Sequence, residues 1–189
     1  MGSFASNPLC LECGLCCNGV IFADTQLQPG DDVERLRSLG LRLIATKEKT
    51  PRTAAQRRDP ASHLAGSNPK FAQPCAAFDG RCCRIYDARP KYCRQFECLL
   101  LKSVKAAKLE TADAVRIVRE ARRRADKIKQ LLSALGDTDE HTALSVRFRR
   151  TSRRLETATL DDETAELFSQ LTLAVQDLNV TLSEAFYPG

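Results

Sequence analysis

Nine cysteines, at positions 10, 13, 16, 17, 75, 82, 83, 93 and 98, are the residues of this chain whose type and spacing could do chemistry. In Cys10-Leu11-Glu12-Cys13-Gly14-Leu15-Cys16-Cys17, two residues between cysteines let a tight turn aim both thiolates at one ion, and Gly14 supplies a backbone able to bend. The C-x-x-C-x-x-C spacing is that of bacterial ferredoxins, where successive thiolates hold iron atoms of one cubane cluster. The usual fourth cysteine followed by proline is missing, so a fourth ligand must come from elsewhere in the chain. Cys16 and Cys17 are adjacent, and neighbouring side chains diverge. The pair suits two different ions, or one ligand and one bystander, better than a single ion.

The later cysteines fall between Cys75 and Cys98. Asp79-Gly80 between short apolar runs is a hairpin signal. A two-residue turn there would set Phe78 opposite Arg81, Ala77 opposite Cys82 and Cys75 opposite Arg84, with Cys75 and Cys82 on one face and Cys83 on the other. Pro90 suits the first turn of a helix running through Leu99 and beyond. On such a helix Cys93 and Cys98 stand about 140° apart, so either the helix is interrupted near Phe96 or the two thiolates go to different places. Only His63 and His141 could add imidazole, and their segments read as loop and helix start; an all-thiolate site is expected. Sulfur coordination suits zinc or iron-sulfur chemistry and disfavours magnesium, calcium and manganese. The ferredoxin-like spacing favours a 4Fe-4S cluster, with zinc as the alternative. Thiolates accumulate negative charge that Arg81, Arg84, Arg89 and Arg94 could offset, and Arg89 and Arg94 are the expected cofactor-side donors.

Taken in order, Cys10-x-x-Cys13-Gly14-x-Cys16-Cys17, the later Cys75, and Cys83-x-Ile85-Tyr86-x-x-Arg89-Pro90-x-x-Cys93-Arg94-x-Phe96 resemble the YkgJ-type cysteine-cluster proteins. That family is associated with chelation of zinc or iron, and its signature also occurs in a domain of flagellin lysine-N-methylase. The resemblance covers about residues 7 to 99 and implies metal held by Cys10, Cys13, Cys16, Cys17, Cys75, Cys83, Cys93 and Cys98. Cys82 departs from the pattern and is expected to be the spare. A ligand at Cys83 conflicts with the two-residue turn, and a bulge or a longer turn would reconcile them.

All nine cysteines precede residue 99, so the elements that must position them divide the chain. Residues 1–99 read as a cysteine-cluster metal-binding module and 100–189 as a helical bundle packed on it. Apolar residues recur three and four apart at Val118, Ala121, Ala125, Ile128, Leu132 and Leu135, predicting a helix over about 111–135 that stops at Gly136. Segments 140–155 and 161–178 repeat the spacing, and Thr181 with Glu184 suits a capping box for a last short turn. Gln28 to Leu43 reads as a short helix after Pro29-Gly30, and 45–74 as a long loop. The fold class is mainly α, with one short β-hairpin in the metal-binding half.

At 189 residues, 43% hydrophobic and 28% charged, the composition excludes disorder and fibrous folds. No run approaches the roughly 20 apolar residues of a membrane helix, and no secretory pattern is present, so the cytoplasm is the expected compartment. In that reducing setting an odd set of closely spaced cysteines points to metal and away from a disulfide framework. Residues 102–154 carry 15 Lys and Arg against 7 Asp and Glu, whereas 155–189 carry 7 acids and no base. The two nearly cancel and no aromatics interleave with the basic runs, which favours pairing within the bundle over nucleic-acid binding. The expected function is a metal-cluster redox or binding module that docks a protein or redox partner. A zinc-fixed structural module and a metal-dependent enzyme are the competing functions. The chain has no nucleotide-binding glycine motif, H-E-x-x-H, serine elbow or C-x3-C-x2-C to favour an enzyme.

Overall fold

The computed structural model describes residues 8–44 and 69–187. The back half is built on α5 (Thr111–Ala134), whose stripe Ala114, Val118, Ala121, Ala125, Ile128 and Leu132 is buried as its periodicity predicts. Alanines on that stripe let α7 (Asp162–Ala185) approach closely, and Leu171, Ala174, Leu178 and Leu182 fill the seam from the other side. Asp161 starts α7 by accepting the Thr164 N–H at 2.8 Å. The helix does not stop near Leu178. Leu182 and Phe186 continue the buried stripe, so packing carries α7 on to Ala185, and the Thr181 hydroxyl donates back to the Asp177 carbonyl instead of capping a new turn. α6 (Leu144–Glu156) completes the bundle.

α5 ends where Gly136 takes φ +85°, with Gly136 N–H bonded to Ser133 O and Asp137 N–H to Leu132 O. That turn delivers Asp137 to α6. Its carboxylate accepts from buried Arg147 at 3.0 Å and from Arg150 at 2.7 Å. Burial alone would raise the Asp137 carboxyl, but the bonds from Arg150 and Arg147 outweigh it and hold it below the usual range. The basic runs are thus answered, but by neighbours: Arg123 and Arg124 pair with Glu120, and Arg150 also with Asp139. Among the described residues no ion pair reaches a carboxylate of α7; Arg124 meets only the Asp177 carbonyl there.

The front half contains α1 (Pro8–Cys13), β1 (Asp24–Gln26), α2 (Val33–Ser38), β2 (Leu43–Ile44) and β3 (Lys70–Ala72). The three strands form an antiparallel sheet in the order β1-β3-β2, with Phe71 paired to both Thr25 and Leu43. Strands of two or three residues are too short to display an alternating pattern, and β3 falls in the segment read from sequence as loop. Of that segment, 45–68 lies outside the described residues. α2 ends at Ser38, short of Leu43, because Gly40 turns the chain at φ +89°.

The expected hairpin is also changed. The Asp79 carboxylate captures the N–H groups of Arg81 at 2.9 Å and Cys82 at 2.6 Å, which widens the turn to four residues. Phe78 therefore bridges to Cys83, not Arg81, as an isolated antiparallel pair. A 3₁₀ turn (Tyr86–Ala88), α3 (Lys91–Gln95) and α4 (Leu99–Lys105) follow, with the helix broken at extended Phe96.

Two hydrophobic clusters result. The larger joins α4, α5, α6 and α7, and it also takes in Leu9, Leu15 and Val20 from the first cysteine motif. The smaller, under the sheet, is Leu27, Leu36, Leu41, Phe71 and Ala77. Among the described residues no helix is long and apolar enough to cross a membrane.

Replacing Asp137 with alanine strands the Arg147 guanidinium, itself only 3% exposed, without a carboxylate. The expected cost is about 3–5 kcal/mol, read as a lowered urea midpoint by circular dichroism.

Candidate metal centre

All nine cysteines line one cavity of about 140 Å³ between the two cores. α1 brings Cys10 and Cys13 to one side of it and ends at Gly14, which takes φ +64°. A Cβ on Gly14 would lie 2.6 Å from the Phe78 ring, so the glycine serves both the bend and the seating of the second motif against the first. Leu15 then plunges into the helical core, fully buried, and leaves Cys16 and Cys17 to turn toward the cavity. The two motifs are joined directly by the Cys75 N–H donating to the Cys17 carbonyl at 2.8 Å.

On the second motif, the widened turn at Asp79 resolves the conflict between hairpin and family pattern by placing Cys83 beside Cys75. Cys82 lines the cavity too, next to Cys83. The break at Phe96 separates Cys93, on α3, from Cys98. Cys98 caps α4, and its sulfur accepts the Leu101 N–H at 3.4 Å. Phe22, Tyr92 and Phe96 wall the cavity with ring centroids 5.0–5.9 Å apart, Tyr92 and Phe96 stacked on each other and Phe22 edge-on to both. Short apolar segments around Phe22 did not single it out in the sequence.

Burial is the first cause raising the thiols of Cys10, Cys13, Cys16, Cys17, Cys75, Cys83 and Cys93, and mutual repulsion adds to it. The repulsions report which sulfurs are neighbours. Cys10 and Cys13 both feel Cys98, and Cys16 feels Cys13, Cys17, Cys98 and Cys10. Cys17 feels Cys93, Cys75, Cys83 and then Cys13, while Cys93 feels Cys75 and Cys83. Around the one cavity Cys10, Cys13 and Cys16 gather with Cys98, and Cys17, which also feels Cys13, adjoins Cys75, Cys83 and Cys93.

The donor set is sulfur alone. Among the described residues no histidine or carboxylate lines the cavity, His141 is exposed elsewhere, His63 lies outside the described residues, and the charged groups in the wall are Arg81 and Arg89. Arg89 donates to the Tyr86 carbonyl at 2.8 Å and lies 3.5 Å over that ring, so its position is held. Its charge works against burial at Cys10, Cys83 and Cys93. Arg94 is exposed and does not line the cavity. The cavity wall also holds Gln73, 4% exposed, which bonds Thr25 through Nε2 while its Oε1 lacks a partner; a polar occupant would satisfy such an atom. Among the described residues no three His, Cys, Asp or Glu side chains meet at one point as ligands of a single ion, and the thiols ring the space instead. All nine cysteines are free, without disulfides.

Cys13, Cys17 and Cys93 are pushed up to about 12 from the ordinary 9.0. A thiol raised by folding keeps its proton in the fold and loses it first in the unfolded chain. Metal-free protein is therefore expected to hold its stability below pH 9 and lose it as the pH climbs from 9 toward 12. Urea midpoints at graded pH measure this, and a flat or rising midpoint over that range contradicts it. Bound metal reverses the sign: it needs thiolates, so metal affinity falls as the pH is lowered.

No curated protein and no solved structure matches the chain. The CxxCxxCC family, described as a "putative zinc- or iron-chelating domain", matches residues 9–127, well over half of the chain. The match runs past residue 99 into α5, the helix that carries Val118 to the cavity wall. With its thiols drawn around one sulfur-lined space and its sequence matched across both halves, the chain belongs to the CxxCxxCC zinc- or iron-chelating family.

Proposed function

We propose that the chain holds iron-sulfur of the 4Fe-4S type, four thiolates to a cluster, on ligands drawn from Cys10, Cys13, Cys16, Cys17, Cys75, Cys83, Cys93 and Cys98, and works as a redox or binding module in a reducing compartment, the cytoplasm. The observation that carries this reading is a cavity lined by nine free cysteines and, among the described residues, no other metal-binding side chain. Such a donor set excludes hard cations and leaves zinc and iron. Thiols arranged around a volume suit a polynuclear cluster better than a single ion, and the C-x-x-C-x-x-C spacing agrees. Cysteine-only coordination equally permits zinc, in which case the metal would fasten the front of the molecule and present the bundle to a protein partner.

Arg89 supports a redox role because a fixed cation beside the thiolates stabilises the more negative, reduced state. The charged bundle surface leaves room for a docked protein partner, and the local pairing of the basic runs weighs against nucleic acid.

Anaerobically purified protein is expected to be brown and to contain iron with acid-labile sulfide. Colourless protein with stoichiometric zinc and no sulfide overturns the iron-sulfur reading. Arg89→Leu is expected to lower the midpoint potential by roughly 40 mV, about 1 kcal/mol for one electron, while Arg94→Leu leaves it unchanged. Protein-film voltammetry of the two variants checks both.

A further inference from the structure

The eight motif cysteines do not share one foundation. Cys13 and Cys98 pack against the helical core, whereas Cys75 and Cys93 pack against the small core under the sheet. Backbone geometry enforces this division at one point. Phe96, extended at φ −69° and ψ 126°, ends α3 and lets the chain swing before α4 begins, so Cys93 and Cys98 belong to different helices. At Cys16-Cys17 the two groups meet: the Cys17 carbonyl accepts the Cys75 N–H at 2.8 Å, and Cys17 feels Cys93, Cys75 and Cys83 ahead of Cys13, whereas Cys16 feels Cys13 ahead of Cys17, Cys98 and Cys10.

Each group is also tied together within itself. Cys10 and Cys13 lie one helical turn apart on α1, and Leu100 and Leu101 anchor the start of α4, with Cys98, in the same core as Leu9 and Leu15. In the other group, the Cys75 N–H bonds the Cys17 carbonyl, the Phe78 N–H bonds the Cys75 carbonyl, and Phe78 bridges to Cys83.

Resting on the reading that these thiolates hold metal, we propose that the protein carries two separate metal centres, one on Cys10, Cys13, Cys16 and Cys98 and a second on Cys17, Cys75, Cys83 and Cys93, divided at the Cys16–Cys17 peptide bond. Four thiolates are the number that a tetrahedral zinc site or a cubane cluster takes, so each quartet supplies enough sulfur for one centre, whose metal would draw together thiols that stand apart in this structure. Both centres border one cavity, and Arg89 acts on both, facing Cys10 of the first and Cys83 and Cys93 of the second.

The test is a count of metal per chain on anaerobic full-length protein, loaded with ferrous iron and sulfide or with zinc, by native mass spectrometry and elemental analysis. Wild-type protein is expected to take up two centres: roughly eight iron at four per cubane, or two zinc. The double variants Cys13→Ser/Cys98→Ser and Cys75→Ser/Cys93→Ser are each expected to keep half of the metal, with the surviving centre's spectrum unchanged. A wild-type chain that saturates at a single centre, lost in both double variants, overturns the proposal while leaving metal binding intact. A wild-type chain that takes up neither metal removes the reading beneath it. Should a variant fail to fold by circular dichroism, the wild-type count still decides.

Discussion

A thiolate removed from water persists only against positive charge, and the front of this molecule is organised by that constraint. Seven of its thiols are pushed upward by burial first and by one another second. At neutral pH they are protonated and uncharged unless a cation draws the protons off. Arg89 supplies one positive charge and Arg81 stands in the same wall, which is far short of what eight thiolates would need. A metal ion or cluster would close that deficit, and if it is held as proposed, by thiolates from segments as distant as residues 10 and 98, its binding energy is at the same time folding energy.

The two halves depend on that energy unequally. The helical core gathers long amphipathic helices around Val118, Ile128, Leu132, Leu171 and Leu182, enough buried apolar surface to stand without sulfur chemistry. The core under the sheet has five buried hydrophobic residues and strands of two or three residues. Such a unit is below the size that hydrophobic burial alone sustains, and small folds of this kind are commonly stapled by metal. The second motif is held to the bundle by contacts at the cavity itself: Phe78 over Gly14, and Cys75 hydrogen-bonded to Cys17.

Much of the back half was legible from sequence because a long helix with a repeating stripe carries its own address. Thr111–Ala134 begins and ends within a residue of its expected bounds, and Gly136 stops it as glycine should. The end of α7 was misjudged because Thr181 and Glu184 looked locally like a cap, while Leu182 and Phe186 had core to bury and won. The sheet left no local signature at all. Its strands are defined by Phe71 pairing on both sides at once, which is a relation among distant segments.

By itself the sequence determined the sulfur chemistry: nine cysteines in ferredoxin-like and family spacing exclude hard cations and name zinc or iron, whatever the fold. It also disfavoured Cys16 and Cys17 as ligands of one ion, since adjacent side chains diverge. Tertiary structure alone decided which thiols become neighbours. Cys98 joins Cys10, Cys13 and Cys16 because the chain breaks at Phe96 and α4 docks its leucines in the helical core; Cys83 joins Cys75 because Asp79 captures two backbone N–H groups and lengthens a turn by two residues. Spacing along a chain limits which ligands can share an ion, but their meeting depends on how separate cores pack, and that is a property of the whole fold.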